Sequence, residues 1–169
     1  MVILGIGLQI SKLLFTTLSQ FTLTSMIINL PNKNKIGFLI GSLIFLFVSF
    51  ISTIYITYQI LMNKIHLRHE HILLLVSIII LAYSSTYYSL YNYNKEAFTW
   101  SHDSLDKRIG NTYEDMFKSW FDMLYFTITT FYLGGLGDIV PRSRLARSIV
   151  VSQLILAISV ILIIINKVI

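Results

Sequence analysis

Charged residues punctuate long apolar runs along this chain, and the punctuation predicts its helices. About 20 apolar residues cross the hydrocarbon core of a bilayer as an α-helix. Residues 36–62, 72–94 and 148–166 are uncharged runs of that order, so each predicts a transmembrane helix. Residues 13–32 are also uncharged but are diluted by Thr16, Thr17, Ser19, Gln20, Thr22, Thr24 and Ser25, with Lys12 just before them. That segment either spans or lies along the interface. Residues 95–111 carry Glu96, Asp103, Asp106, Lys107 and Arg108 and predict a solvated loop. Thr112, followed by Glu114 and Asp115, then reads as a helix start, where a hydroxyl caps orphan amides and carboxylates complement the dipole. The helix expected over 113–131 has no charge after Asp122 and stops at glycines instead of completing a crossing.

Composition narrows the class. The chain has 169 residues, 55% of them hydrophobic and 12% charged, with a mean hydropathy of +0.72. These values exclude a soluble domain and make lipid the solvent. The net charge of +5 is scattered, so it predicts contacts with lipid headgroups and no nucleic-acid partner. Zero cysteines exclude disulfides and thiolate metal sites. The N-terminus is apolar from Val2 and lacks the positive region of a secretory leader, so it is expected to belong to the mature protein. No Ser, His and carboxylate set recurs at helical spacing and no phosphate loop exists, so an enzyme is not expected.

The segment 125–141 carries the chemistry. It reads Tyr-Phe-Thr-Ile-Thr-Thr-Phe-Tyr, then Leu133, Gly134, Gly135, Leu136, Gly137, Asp138, and ends at Pro141. An aromatic, hydroxyl-rich half-helix running into glycines is how a re-entrant loop exposes backbone carbonyls at membrane depth. Asp122, Tyr125, Phe126, Thr129, Thr130, Gly135, Gly137, Asp138, Pro141 and Arg147 stand at the spacing found in tetrameric potassium channels. Over residues 122–157 the chain resembles that family. The resemblance implies a pore helix bearing Asp122, Tyr125, Phe126, Thr129 and Thr130. It further implies an ion-binding filter of carbonyls from Leu133, Gly134, Gly135, Leu136 and Gly137, with Asp138 at the pore mouth.

Several positions depart from the family pattern Thr-Val-Gly-Tyr-Gly. Leu133 in place of Thr removes a hydroxyl from the innermost ion site, and Leu136 in place of Tyr removes a phenol that anchors the filter wall. The wall is then expected to rest mainly on packing. Gly134 adds backbone freedom where a β-branched residue is usual. Strict potassium selectivity is therefore an open point. On the last helix, Gln153 and Ala157 replace a frequent acid and a hinge glycine, which argues against a large bend there.

The family would turn Ile158, Ile161 and Ile165 toward a central cavity. Periodicity instead groups Ser148, Ser152, Ser159 and Asn166 on one face. The serines are favoured as helix packing and the isoleucines as a dewettable lining. Gly37 and Gly41 form a Gly-xxx-Gly pair that would let helices approach closely. Lys64, His66, Arg68, His69, Glu70 and His71 fill a short loop, read as interfacial basic charge before metal binding. Tyr83, Tyr87, Tyr88, Tyr91 and Tyr93 suit an interfacial belt or packing against the pore helix. Family analogy puts the filter outside, although Lys95, Lys107, Arg108, Lys118, Arg142, Arg144 and Arg147 would then be external, against the positive-inside tendency.

The expected fold is an all-α membrane protein with three or four transmembrane helices, a re-entrant pore helix and a filter loop, assembled as a tetramer. Its divisions are an apolar segment 1–32, two transmembrane helices over 33–94, a polar outer loop 95–112, and pore helix, filter and inner helix over 113–169. The expected location is the cell membrane, with several passes. The partners are identical subunits in a homotetramer and membrane lipid. No cofactor is expected beyond a permeant monovalent cation, K+ by family precedent. No arginine-repeat voltage sensor is present. A non-conducting or accessory assembly protein with a degenerate pore loop stands as the alternative, and a transporter would need paired broken helices that the sequence lacks.

Overall fold

A computed structural model describes residues 32–62, 69–101, 113–135 and 137–168. The apolar segment before residue 32, the basic loop residues Lys64, His66 and Arg68, the Thr112 cap, most of the polar loop and Leu136 lie outside the described residues. Helix α1 spans Asn32–Leu61, α2 spans His69–Tyr93, α3 spans Tyr113–Phe131 and α4 spans Arg144–Val168. A 3-10 turn, Lys95–Ala97, and two short strands, β1 (Phe98–Trp100) and β2 (Ile139–Pro141), complete the set.

Helix α1 buries a face rich in small hydroxyl residues and exposes large apolar ones, an arrangement lipid accommodates. On α1, Leu39, Ser42, Leu46, Ser49, Thr53 and Thr57 are buried, whereas Ile40, Ile44, Phe47 and Ile51 are exposed. Ser42, Thr53 and Thr57 donate to carbonyls of their own helix at 2.8 to 2.9 Å, which satisfies those hydroxyls, whereas the buried Ser49 Oγ has no partner among the described residues. Among the described residues, nothing lies within 4 Å of a Cβ built on Gly37 or Gly41.

Helix α2 is the centre of the protomer and touches α1, α3 and α4. Every residue from 82 to 91 is buried. Ala, Ser and Thr between the tyrosines allow neighbours to approach on all sides. By length and composition, the described helices long and apolar enough to cross a membrane are Lys35–Tyr55 and Arg144–Ile165. The third expected span, residues 72–94, does form a helix, but hydroxyl side chains dilute its second half and packing with other helices surrounds it. At 25 residues it is about 37 Å long at 1.5 Å per residue.

The segment expected as a solvated loop after α2 folds differently over 95–101. Asn94 caps the 3-10 turn by accepting from the Glu96 amide at 3.0 Å, Ala97 and Phe98 are buried, and β1 pairs antiparallel with β2 in the register Phe98 to Pro141, Thr99 to Val140 and Trp100 to Ile139. The physical reason is the aromatic core beneath it. Phe98 packs edge-on against Tyr87 and Phe126, both at 5.7 Å between centroids, and Trp100 against Tyr91 at 5.0 Å, so the chain is drawn inward.

Helix α4 begins at a cap the sequence pattern did not single out. The Ser143 hydroxyl accepts from the Ala146 amide at 3.1 Å, an N-cap bond to the third turn position. Arg147 holds the entry, its Nε donating to the Pro141 carbonyl at 3.2 Å.

Candidate functional site

The C-terminal end of α3 sets up the glycine loop. Helix ends leave carbonyls without partners, and here two are satisfied by the chain turning back on itself. The Gly134 amide donates to the Thr129 carbonyl at 2.8 Å and the Leu133 amide to the Thr130 carbonyl at 3.1 Å. That crossed pair is a Schellman cap, which needs a left-handed residue just past the helix, normally glycine. Leu133 occupies that position with φ 59°, while Gly134 follows it. A Cβ on Gly134 would meet the Thr129 carbonyl oxygen at 3.4 Å. A left-handed leucine costs about 1–2 kcal/mol. Leu133→Gly therefore stabilises the protein by about 0.5–1 kcal/mol once the greater freedom of unfolded glycine is set against the strain relieved. The midpoint of denaturant unfolding checks this, and Leu133→Val moves it the other way because β-branching deepens the strain.

Downstream the loop is strapped by its backbone. Gly137 has φ 75°, a conformation glycine adopts without the strain a side chain brings. Asp138 follows, its carbonyl accepting from the Ser101 amide at 2.8 Å and its Oδ1 from the Ile139 amide at 3.1 Å. The Tyr125 hydroxyl, on α3, also hydrogen-bonds the Asp138 side chain, the phenol donating and the carboxylate accepting. Further along, the Arg142 and Ser143 amides donate to the Ala97 carbonyl at 2.8 and 3.3 Å.

Hydrogen bonds from Ser101 and the β1–β2 ribbon flank the loop at Asp138, with the Tyr87, Phe98 and Phe126 rings behind; the expectation that the wall at Leu136 rests mainly on packing falls on a residue outside the described ones. Tyr87 and Phe126 lie 5.2 Å apart at 67°.

The remaining expected site residues fall as follows. Thr129 turns its Oγ1 back to the Tyr125 and Phe126 carbonyls, each at 3.1 Å, and Thr130 and Phe126 are buried. Asp122 is half-buried on α3. Leu133, Gly134, Gly135 and Gly137 are exposed on the protomer and Asp138 is half-buried. Leu136 lies outside the described residues. On α4, Ile158, Ile161 and Ile165 are exposed. Ser152 packs inward with its Oγ 2.9 Å from the Tyr83 hydroxyl, whereas Ser148 and Ser159 satisfy themselves on their own helix. Ala157 and Gln153 are fully buried, so neither faces the exposed isoleucine side.

Three contributors escaped the sequence pattern: Phe98, the Ser143 cap and the inward-facing Gln153. An amide in the middle of a mainly apolar helix was the signal available for the last.

A family model described as ion channel matches residues 75–169 of the chain. No curated protein and no solved structure gives a match.

Proposed function

Because the chain belongs to the pore-loop ion channel family through residues 75–169, we propose that it forms a homotetrameric, multi-pass cation channel of the cell membrane. One protomer carries a quarter of a filter, so closure around a fourfold axis completes it. The carbonyls of Leu133, Gly134, Gly135, Leu136 and Gly137 replace the hydration shell of a monovalent cation, K+ by family precedent. Asp138 concentrates cations at the mouth. The negative end of the α3 dipole faces the cavity, which Ile158, Ile161 and Ile165 line.

The observation that carries this reading is the glycine loop itself. Its described residues Leu133, Gly134, Gly135 and Gly137 are exposed on the protomer, yet the loop is fixed at both ends by the helix cap and the Asp138 strap. Such a loop offers main-chain oxygens to a neighbour-built axis at little further ordering cost. The alternative, a non-conducting assembly protein, draws on the exposed, strained Leu133, whose side chain supplies no hydroxyl to the innermost site.

Reversal potentials of the purified protein in planar bilayers with potassium on one side and sodium on the other separate the two. A current that reverses toward the potassium equilibrium potential supports the channel; silence across independent preparations supports the alternative. In a conducting protein, Leu133→Thr combined with Leu136→Tyr raises the potassium-to-sodium permeability ratio about tenfold, equivalent to about 1.4 kcal/mol between the ions. An unchanged ratio in the double variant would remove the filter assignment.

A further inference from the structure

Gln153 is fully buried on α4, and the two ends of its amide are held by two other helices. Its Oε1 accepts from the Tyr87 hydroxyl of α2 at 2.8 Å, and its Nε2 donates to the Thr127 backbone carbonyl of α3 at 2.7 Å. A carbonyl partner demands a donor, so the orientation of the amide is determined. Thr127 is itself buried, with its Oγ1 donating to the Met123 carbonyl at 2.7 Å. One side chain therefore ties three helices together. It does so two and three residues before Thr129 and Thr130, whose carbonyls cap the glycine loop.

We infer that Gln153 is a positioning residue for conduction, fixing the height and rotation of α3 against α2 and α4 and hence the placement of the glycine loop. The link to flux rests on the channel reading above; the bridge is a matter of helix packing and is measurable without flux. An apolar side chain of similar volume would fill the same space, but dispersion contacts tolerate sliding of one helix along another. Hydrogen bonds between buried groups do not, because no water is there to replace a lost partner. Neighbouring Ser152 offers a contrast. Its bond to Tyr83, at 2.9 Å, joins α2 to α4 without reaching α3.

The test uses the full chain in lipid nanodiscs, reading hydrogen exchange of residues 119–131 together with cation flux in vesicles. Tyr87→Phe removes one bond and lowers pore-helix protection about fivefold; Gln153→Met removes both and lowers it roughly thirtyfold, if each bond carries its usual net value. Tyr83→Phe leaves that protection at the wild-type level. Gln153→Glu makes the bridge titratable. Protonated, the acid accepts from Tyr87 and donates to the Thr127 carbonyl; ionised, it can only accept. Facing it are the Tyr87 phenol and, one turn away, the Tyr83 phenol of α2, both neutral over this range, and the Thr127 carbonyl of α3. The bridge is therefore whole while the acid is protonated and lost when it ionises, with flux and permeability ratio following, whereas the wild type shows no such step.

Pore-helix exchange unaltered in Gln153→Met and Gln153→Glu would overturn the inference, as would Tyr83→Phe loosening α3 as much as Tyr87→Phe. Flux and permeability ratio unaltered in a conducting Gln153→Met protein would overturn the positioning role. The expected exchange pattern in a protein whose wild type passes no cation would sink the channel reading while leaving the three-helix bridge standing.

Discussion

Phe98→Ala is expected to lower stability by about 3–5 kcal/mol, the range for removing a large ring from a core that relaxes only in part. Phe98 is 2% exposed and meets Tyr87 and Phe126 edge-on, so its removal leaves two faces of rings without contacts. The effect should extend beyond unfolding free energy. Phe98 begins the strand that pairs with Ile139–Pro141, and Ser101, just past that strand, donates to the Asp138 carbonyl. Loss of the ring therefore frees the strap behind the glycine loop, and cation flux in vesicles should fall to background. Thr99→Ala, at a half-buried position in the same strand, should change stability by less than about 0.5 kcal/mol. Equal effects of the two substitutions, followed by denaturant unfolding and flux, would show that the aromatic cluster does not support the loop.

Gly137→Ala is expected to abolish flux with a smaller loss of protomer stability, about 1–2 kcal/mol. The cause is conformational. At φ 75° an alanine Cβ crowds the following carbonyl, although nothing else lies within 4 Å of it. In the proposed tetramer the strain repeats in each copy around one axis, so a shift that relieves it displaces the carbonyls of neighbouring residues together. Gly135→Ala supplies the comparison, since Gly135 has no positive φ and no neighbour within 4 Å of a built Cβ. Within the protomer it should fold with wild-type stability. Thermal unfolding of both variants beside reversal-potential recordings checks the pair. Wild-type currents from Gly137→Ala would mean that the left-handed turn is not part of the conduction path.

Helix α3 was legible in the sequence because local chemistry specified it at both ends. The polar start after residue 112 and the glycines after Tyr132 bracket a run whose observed bounds, Tyr113–Phe131, match the expected 113–131. Inside that helix the placement of Tyr125, Phe126 and Thr130 followed from fixed spacing. Its terminal geometry was not legible. Glycine preference would put the left-handed residue at Gly134, yet the structure puts it at Leu133, since the cap bonds to Thr129 and Thr130 count residues from where the helix stops and not from where glycine first occurs.

The β1–β2 ribbon escaped for a different reason. Strands of three residues contain too few alternations to register as a period, and Lys95 and Glu96 beside them read as solvent-facing charge, which they are. Only the presence of Tyr87 and Phe126 underneath draws Phe98 inward. Gln153 was legible only as standing where the family often has an acid. Its partners stand 66 and 26 positions away in the chain, a separation that no local pattern encodes.

Sequence by itself determined that this chain lives in lipid, which stretches form its long helices, and that a glycine turn follows an aromatic half-helix, because hydropathy and backbone freedom are properties of neighbouring residues. Tertiary structure alone decided which faces meet: that α2 is enclosed, that hydrogen bonds and not packing alone back the glycine loop, and that one amide joins three helices. Those outcomes depend on burial and on pairing between distant groups, and both exist only once the chain has folded.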